Sequence, residues 1–425
     1  MPPSAALISA PPACRLTPVR RLGLLLVTAA VLAGCGGSGG SSSNGKTFLI
    51  VVNAPFSRSS YIGETIAHGT ELAAGLIGTV STGTGTYTLK VQRLDNALSA
   101  AQSVRNTRRA VEEHAGAIVT DGTGLDASWR IAAATHIPIC ITFDGGPGLV
   151  DVRTRPNVFR IAPTDHGMAF RLAEYLIPKG LKVALLTDDS EYGQEGGKAL
   201  AQAFGSSLKD VAIREVLPAR AADLAPQILR ARRAGATALL VWAEPATIAN
   251  AVIAARTNAW NVPVYTPASG EDPLLRQQLA DHRDWVAGIT FAAGRMTSEL
   301  GPESFLAFQT DYVGAYGRQL VGVRTRSGLR VSQPPDYAMY SYDFVQVLAR
   351  ALERSGSPGA ALIDALQQVD VRGANGDERG FNQVNHEGVV DDDVYFARFT
   401  PDFTFEPVKD DPLSSTLVEI DQTAG

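Results

Sequence analysis

Residues 117–128 combine glycines, a threonine and a helical pattern in a way that suits anion binding. An apolar strand-like run leads into Gly122-Thr123-Gly124, and an alanine-rich helical pattern follows. Free backbone N–H groups at a helix N-terminus attract phosphates and carboxylates, and glycines let a ligand approach closely. Gly122, Gly124 and Ala127 also fit the dinucleotide pattern G-x-G-x-x-A, with Asp144 about where a ribose-binding acid would lie. These residues therefore predict an anion site, for a dinucleotide or for another anion.

Residues 1–34 have the features of an export signal. Arg20 and Arg21 precede an apolar run, residues 22–32, that is too short to span a bilayer as a stable helix. The following Leu32-Ala33-Gly34-Cys35 resembles the bacterial lipobox, in which the cysteine is lipidated and becomes the first residue of the mature protein. A flexible Gly/Ser-rich tether, residues 35–45, would then join the lipid to the folded body. We therefore expect an extracytoplasmic protein that is anchored to the cell membrane through Cys35.

Composition argues against several other classes of protein. The net charge is −5, and loss of the signal removes three arginines and no acid, so the mature chain is more acidic still. With no basic patch, nucleic acid is not an expected partner. The six histidines show no metal-ligand spacing, and Cys140 remains as a lone core thiol, so we predict neither a metal site nor disulfides. No nucleophile elbow is found, so we predict no enzymatic activity and no cofactor.

From Lys46 onward, short apolar strands alternate with helical patterns, which is typical of βαβ units with parallel sheets. The mature chain exceeds one ordinary core, and the alternation occurs in both halves, so we predict two α/β lobes. The predicted strands are residues 48–52, 87–91, 117–119, 138–141, 183–186, 211–213, 238–241, 262–265 and 286–289. The last quarter differs, with predicted helices near residues 337–351 and 359–369 and a hairpin over 381–399.

The ends of these strands predict where a ligand binds. In open α/β sheets, ligands lie beyond the carboxyl ends of the strands, so two facing lobes would form a cleft lined by these loops. The loops are polar and contain aromatic residues, which suits a small polar ligand. They comprise residues 53–61, 121–124, 143–146, 188–192, 242–245 and 267–271.

A set of motifs extends along nearly the whole mature chain: Gly63 and Gly69 with Glu71-Leu72-Ala73, Asp95, Ile137-Pro138, Val158-Phe159-Arg160 with Pro163-Thr164-Asp165, residues 183–188 with Tyr192-Gly193, Tyr342-Asp343 with Ala351-Leu352-Glu353, and Gly373, Gly376 and Phe381-Asn382. In order and spacing, these motifs resemble those of one family, the type I periplasmic solute-binding proteins of branched-chain amino acid ABC transporters. The resemblance implies an α/β fold of two Rossmann-like lobes, with a ligand cleft between them and three hinge crossovers. It places lobe 1 at residues 46–164 plus 296–372, and lobe 2 at residues 165–295 plus 373–425.

The resemblance also implies a function. The chain would be the monomeric, lipid-anchored substrate-binding subunit of an ABC importer, which closes on a small polar solute and delivers it to a permease in the membrane. The alternative is a ligand-sensing receptor ectodomain of the same fold that signals to a membrane partner.

The ligand contacts that the resemblance implies begin with the glycine-rich loop. Gly122, Thr123 and Gly124 would receive a carboxylate of the solute, with the Thr123 hydroxyl as an added donor. A dinucleotide loop normally follows the first strand rather than the third, so the dinucleotide interpretation is set aside. Tyr192 would pack its ring on the ligand from lobe 2. The other expected contacts are Tyr61, Asp144, Gly145, Trp242, Glu244, Ser269 and Glu271.

The sequence departs from the family where an amino acid's ammonium group would bind. The acid expected in the loop after the eighth strand is replaced by Ala268 or Ser269, with Glu271 displaced by a few residues. Position 145 is glycine, where amino-acid binders tend to carry a hydroxyl. A buried ammonium needs a partner, so either Asp144, Glu244 or Glu271 substitutes, or the solute is another carboxylate or amide.

Overall fold

The computed structural model of the chain describes residues 45–205, 210–293, 303–317, 337–389, 394–403 and 405–414. The predicted signal, Cys35 and all of the tether except Gly45 lie outside these residues. Within the described ranges, no helix combines the length and the apolar character that a membrane span requires.

The first half of the chain forms a six-stranded sheet with its strands in the order β2-β3-β1-β4-β5-β6. All neighbouring pairs are parallel except β2 and β3, which form a hairpin. The elements are β1 (Lys46–Ala54), α1 (Ser60–Ile77), β2 (Thr79–Thr82), β3 (Gly85–Asp95), α2 (Ala100–Glu112), β4 (Ala117–Thr120), α3 (Leu125–Ala133), β5 (Ile139–Ile141) and β6 (Val158–Arg160). Strand β2 separates α1 from β3 and was not predicted, so the glycine-rich loop follows the fourth strand in the chain.

The second half forms a seven-stranded sheet with the order β15-β14-β11-β10-β9-β7-β8. Strands β7 to β11 are parallel, whereas β14 and β15 are antiparallel additions at one edge. The elements are α4 (Asp165–Leu176), β7 (Val183–Asp188), α5 (Glu191–Phe204), β8 (Val211–Leu217), α6 (Ala225–Arg233), β9 (Ala238–Trp242), α7 (Pro245–Thr257), β10 (Val264–Thr266), α8 (Pro273–Gln278), α9 (Arg283–Val286), β11 (Thr290–Ala293), α10 (Glu303–Tyr316), α11 (Ala338–Ser355), α12 (Ala360–Leu366), β12 (Asp370–Arg372), β13 (Glu378–Gly380), β14 (Tyr395–Phe399) and β15 (Phe405–Pro407).

Each sheet reverses its strand order at one point. In the first sheet β3 and β4 lie on opposite sides of β1, and in the second β8 and β9 lie on opposite sides of β7. Loops that leave the two strands at such a point diverge and open a crevice at the carboxyl edge. The loops after β1 and β4, and those after β7 and β9, are therefore the ones that the topology makes available to a ligand.

The chain passes between the two sheets three times. It crosses first between β6 and α4, because α4 packs on α5 beside the second sheet. It returns after β11, since α10 and α11 pack on α1 of the first sheet, and it crosses again before β14. The lobe boundaries given above stay a prediction at the level of single residues.

Two sequence predictions in the second half are wrong. The strand expected at 286–289 begins instead at Thr290, because the buried Val286 ends a short helix and Gly288 turns the chain with a φ of 86°. The single hairpin expected over 381–399 does not form. β13 pairs with β12, while β14 pairs with β11, because the apolar strand 395–399 completes the edge of the larger sheet.

Several other predictions are confirmed by burial. The apolar face of α11, with Tyr337 just before its first turn, is buried throughout. Cys140 lies on β5 as a free, fully buried thiol.

Close packing of α1 against α11 predicts that alanine substitutions at two glycines of α1 change the free energy of unfolding in opposite directions. A Cβ at Gly69 would lie 2.0 Å from the carbonyl oxygen of Ala338, whereas a Cβ at Gly75 meets nothing within 4 Å. Gly69→Ala should therefore lower the free energy of unfolding by about 3 kcal/mol through overpacking. Gly75→Ala should raise it by about 0.5–1 kcal/mol through helix propensity. Equilibrium urea unfolding measures both, and equal effects of the two substitutions would contradict the helix packing.

Candidate functional site

Buried polar side chains hold the loops at the carboxyl end of the first sheet. Asp121, directly after β4, accepts hydrogen bonds from Nδ2 of Asn96 at 2.7 Å and from the hydroxyl of Thr123. Asn96 also donates to the carbonyl oxygen of Asn53 at 3.3 Å, which links the loops after β1, β3 and β4. Burial, together with the nearby charge of Asp144, outweighs these hydrogen bonds and raises the pKa of Asp121 to about 6.

The Thr123 side chain has a hydrogen-bond partner within its own loop. Its hydroxyl donates to a carboxylate oxygen of Asp121, so this hydrogen is engaged within the loop, and a contact between Thr123 and the solute stays a prediction. The physical reason is local, because a buried carboxylate two residues away is a strong acceptor that water cannot satisfy.

Gly122 and Gly124 both adopt left-handed backbone conformations, with φ of 116° and 69°. The chain's own packing requires them, since a Cβ at 122 would lie 2.4 Å from Cβ of Asp144, and one at 124 would lie 2.6 Å from Cα of Ala100. Among the hydrogen bonds of the described residues, none uses the N–H of Thr123 or of Gly124. These two amides lie at the N-terminus of α3, where the helix dipole favours an acceptor or an anion.

Asp144 and Gly145, after β5, lie beside this loop. Oδ1 of Asp144 accepts from the N–H of Gly146 at 2.8 Å, and the Asp144 N–H donates to the carbonyl of Asp121 at 2.8 Å. Burial raises the pKa of the half-buried Asp144 side chain. A Cβ at Gly145 would lie 2.4 Å from the backbone nitrogen and 2.6 Å from Oδ1 of Asp165, so a threonine or serine there is sterically excluded.

Asp165 is the residue of the site that sequence reasoning missed. It was noted only as part of the Pro163-Thr164-Asp165 motif, because an acid after a threonine N-cap usually completes a helix start. Its side chain is 1 % exposed, and neither carboxylate oxygen has a hydrogen-bond donor among the described residues. Burial raises its pKa to about 8, and the charges of Asp144 and Glu195 act in the same direction. The sequence signal was glycine at position 145, which makes room for this carboxylate.

Arg160 on β6 is the nearest cation to these acids, but its charge is already engaged. Its guanidinium binds both carboxylate oxygens of Glu387 at 2.6 and 2.7 Å. Nη1 also donates to the carbonyl oxygens of Asp144 at 3.2 Å and Gly146 at 2.9 Å. Arg160 therefore ties the 144–146 loop to the third crossover, and its charge lowers the pKa of Asp144 and of Asp165 by less than burial raises them.

In the second lobe, Asp188 organises the two loops at the point where the strand order reverses. Its carboxylate accepts from the N–H of Ser190 at 3.2 Å and from the N–H of Glu244 at 2.9 Å. Ser190 caps α5 by accepting from the N–H of Gly193 at 3.0 Å, and a Cβ at Gly193 would lie 2.2 Å from Asp188 Oδ1. Asp188 thereby sets the first turn of α5, which carries Tyr192.

Tyr192 is half-buried and lies within electrostatic reach of Asp165. Burial, followed by the charge of Asp165, raises the pKa of its phenol well above the usual range. Its hydroxyl donates to Oγ of Ser269 at 3.4 Å, and Ser269 in turn donates to the carbonyl of Ala243 at 2.9 Å. Trp242 is fully buried with its ring centroid 6.0 Å from that of Tyr192. Trp242 therefore supports Tyr192 from the core and has no exposed surface for a ligand.

The remaining expected contacts are Glu244, Glu271 and Tyr61. Glu244 is half-buried before α7, and burial together with Asp188 raises its pKa to about 7. Glu271 is 1 % exposed, and its charge acts on the guanidinium of Arg276. Tyr61, in the first turn of α1, also acts electrostatically on the pKa of Arg276, so the two lobes approach each other there.

The structure thus brings Asp144, Gly145 and Tyr192 around Asp165, with Gly122 against Asp144. Glu191 and Glu195 on α5 add negative charge from the second lobe, because both raise the pKa of Asp144. In the parts of the chain described here, no cluster of three His, Cys, Asp or Glu has a geometry that could hold a metal ion.

Comparisons with known proteins agree on one architecture. A family model described as periplasmic binding protein matches residues 51–404. A periplasmic binding protein type 1 from Bordetella pertussis Tohama I superposes with a TM-score of 0.74 and 18% identity, over 85% of this chain and 100% of that one. The branched-chain amino acid transporter substrate binding protein LivJ from Streptococcus pneumoniae, in complex with isoleucine, gives a TM-score of 0.69 and 20% identity, over 85% and 99% of the two chains.

A third structure shows how the ligand varies on this fold. A solute binding protein of an ABC transporter from Rhodopseudomonas palustris BisB5, in complex with 3,4-dihydroxy benzoic acid, superposes with a TM-score of 0.65 and 18% identity, over 83% of this chain and 93% of that one. No curated protein matches the chain. The predicted fold class, a two-lobed α/β fold of the type I periplasmic binding proteins, is confirmed.

Burial of Asp165 predicts a pH-dependent cost in stability. Its folded pKa of about 8 lies above the unfolded value near 4, so the folded state holds a proton that the unfolded state has lost. This contribution makes the unliganded protein less stable as the pH rises from about 4 to about 8. Asp165→Asn should remove the cost, and its gain in unfolding free energy should be on the order of 3 kcal/mol larger at pH 8 than at pH 5.

Urea unfolding of the unliganded protein at the two pH values measures this difference. Asp281→Asn, at an exposed carboxylate, is the matched control and should change stability little at either pH. A gain for Asp165→Asn that is the same at both pH values would show that the carboxyl is not held protonated by burial.

Proposed function

Because this chain belongs to the periplasmic binding protein family, we propose that it captures a small polar solute in the cleft between its two lobes and delivers it to an ABC permease. The observation that carries the proposal is that each lobe contributes loops with groups suited to binding a solute. The first lobe contributes the amides of Thr123 and Gly124 after β4, and the charge of Asp165 acts on Tyr192, which Asp188 and Ser269 position in the second lobe. A solute that contacts both sets favours the closed form of the protein over the open one.

The solute class that we propose is an amino acid or a related small carboxylate or amide. Two solved relatives bind isoleucine and 3,4-dihydroxy benzoic acid, so solutes of this size and polarity suit the fold. The amides of Thr123 and Gly124, at the N-terminus of α3, are suitable donors for a carboxylate or a carbonyl oxygen. The ring of Tyr192 would cover the solute from the second lobe.

Thermal-shift screening of the body without its lipid anchor tests this function. Amino acids, their amides and small acids form the panel, and a ligand that binds only the folded state raises the melting temperature by mass action. The absence of a shift with every compound would contradict solute capture. Binding without solute uptake by cells that carry the neighbouring permease would instead favour the sensor alternative.

Tyr192→Ala should weaken binding of any compound found in this way by about 2 kcal/mol, or roughly 30-fold, through loss of a buried aromatic anchor. Tyr192→Phe keeps the ring and removes only the long hydrogen bond to Ser269, so it should weaken binding far less. Isothermal titration calorimetry gives both affinities. An unchanged affinity of the alanine variant would place the solute away from α5.

We further propose that Cys35 carries the membrane anchor, as its Leu-Ala-Gly-Cys context indicates. Cys35→Ala should abolish incorporation of labelled palmitate in growing cells and release the protein from the membrane fraction. Cys140→Ala is the matched control, because Cys140 is buried in the core and should leave labelling unchanged. Persistent membrane association of the Cys35→Ala variant would exclude lipid anchoring at this position.

A further inference from the structure

Three carboxylates lie side by side at the edge of the first lobe that faces Tyr192. Asp144 interacts electrostatically with Asp121 and with Asp165, and Gly122 and Gly145 are the glycines that leave room for Asp144 and Asp165. A cluster of acids is common on protein surfaces, where water solvates each charge. This one is different, because Asp165 is 1 % exposed and neither of its oxygens has a donor within the described residues.

A buried carboxylate without a donor is costly, and the neighbouring groups do not offset the cost. Arg160, the nearby cation, binds Glu387 through two hydrogen bonds and two backbone carbonyls through a third nitrogen. From α5, Glu195 adds another negative charge. The site therefore has an excess of acceptors and negative charge, and its chemical complement is a group with several N–H donors and a positive charge.

We propose that Asp165, with Asp144 beside it, binds a cationic group of the solute, such as an ammonium, amidinium or guanidinium. This inference rests on the proposed function and narrows its solute class. It also accounts for the departure at the loop after β10, where Glu271 is buried and its charge acts on Arg276. Position 145 is glycine for the same reason, since a side chain there would collide with the Asp165 carboxylate.

The geometry also places the two ends of an amino-acid-like solute. The amides of Thr123 and Gly124 lie in the same loop as Gly122, which touches Asp144. A carboxylate on these amides would be repelled by the adjacent acids unless a positive charge lies between them. The cationic group is therefore the required feature of the solute, and the carboxylate is the optional one.

Matched trios of compounds test this order of importance. Each trio contains an amino acid, the amine without its carboxyl group, and the acid without its ammonium group. Leucine with 3-methylbutylamine and 4-methylpentanoate forms one trio, and arginine with agmatine and 5-guanidinopentanoate forms a second in which the side chain is itself cationic. We expect melting-temperature shifts from amino acids and amines in at least one trio, and none from 4-methylpentanoate.

Two variants separate this inference from the proposed function. Asp165→Asn should weaken binding of the cationic compound at least 30-fold, while the exposed Asp281→Asn should leave it unchanged. If only acids without a cationic group bind, and Tyr192→Ala weakens them, the solute-capture function stands and this inference is wrong. If no compound binds, both are wrong. Binding of a cation that is equally tight in Asp165→Asn and Asp144→Asn also overturns the inference.

Proton release gives a readout that a merely structural role would not produce. The free protein holds a proton on Asp165 up to about pH 8, with Asp144 and Glu195 favouring the proton and Arg160 opposing it. Tyr192, which also faces Asp165, stays protonated throughout this range. A bound cation should expel the proton, so the affinity of the wild-type protein should rise about fivefold between pH 7 and pH 8.

Calorimetry at pH 7.5 in phosphate and in Tris, which differ in ionisation enthalpy, should show a released proton for the wild-type protein and none for Asp165→Asn. Equal binding enthalpies in the two buffers for the wild-type protein would mean that Asp165 does not face the solute.

Discussion

Burial of neighbouring carboxylates at the edge of the first sheet is the constraint on which the candidate site depends. Parallel strands direct their carboxyl ends to one edge, so Asp121 after β4 and Asp144 after β5 are brought together there. Asp165 joins them at the start of α4, where the chain first crosses between the sheets. Burial raises the pKa of all three, because the charged form of each loses solvation and faces another acid.

The surrounding structure maintains this arrangement without neutralising it. Asn96 and Thr123 donate hydrogen bonds to Asp121, and the Gly146 amide donates one to Asp144. Neither carboxylate oxygen of Asp165 has a hydrogen-bond donor among the described residues. Arg160 positions the loop that carries Asp144, and its guanidinium forms an ion pair with Glu387, a residue 227 positions away in the chain. A lobe-closing protein gains from such an arrangement, since a site that is unfavourable when empty releases free energy when a complementary solute arrives.

The second lobe differs from the first, because its polar groups at the site form hydrogen bonds and it contributes an aromatic ring, that of Tyr192. Asp188 uses its carboxylate to fix the loops after β7 and β9, and Trp242 fills the core beneath Tyr192. Gly196 allows this packing, because a Cβ there would lie 2.2 Å from the indole. Tyr192 is consequently held by side chains from β7, β9 and the loop after β10, which is how a residue on a helix start becomes a rigid wall of a cleft.

The local sequence pattern determined much of the secondary structure of this protein and the position of its site loops. Alternating apolar strands and helices predicted both sheets, and the strand ends predicted the loops that contain Asp121, Asp144 and Tyr192, because hydrophobic periodicity and chain direction are properties of neighbouring residues. Only the tertiary structure decided which side chains in those loops are free. Thr123 donates to Asp121, Trp242 is buried, and Asp165, outside those loops, has no hydrogen-bond donor among the described residues. Each of these outcomes depends on how the folded chain packs around the side chain. The extra edge strands have the same cause, because pairing at a sheet edge is set by the neighbouring strand rather than by the local sequence.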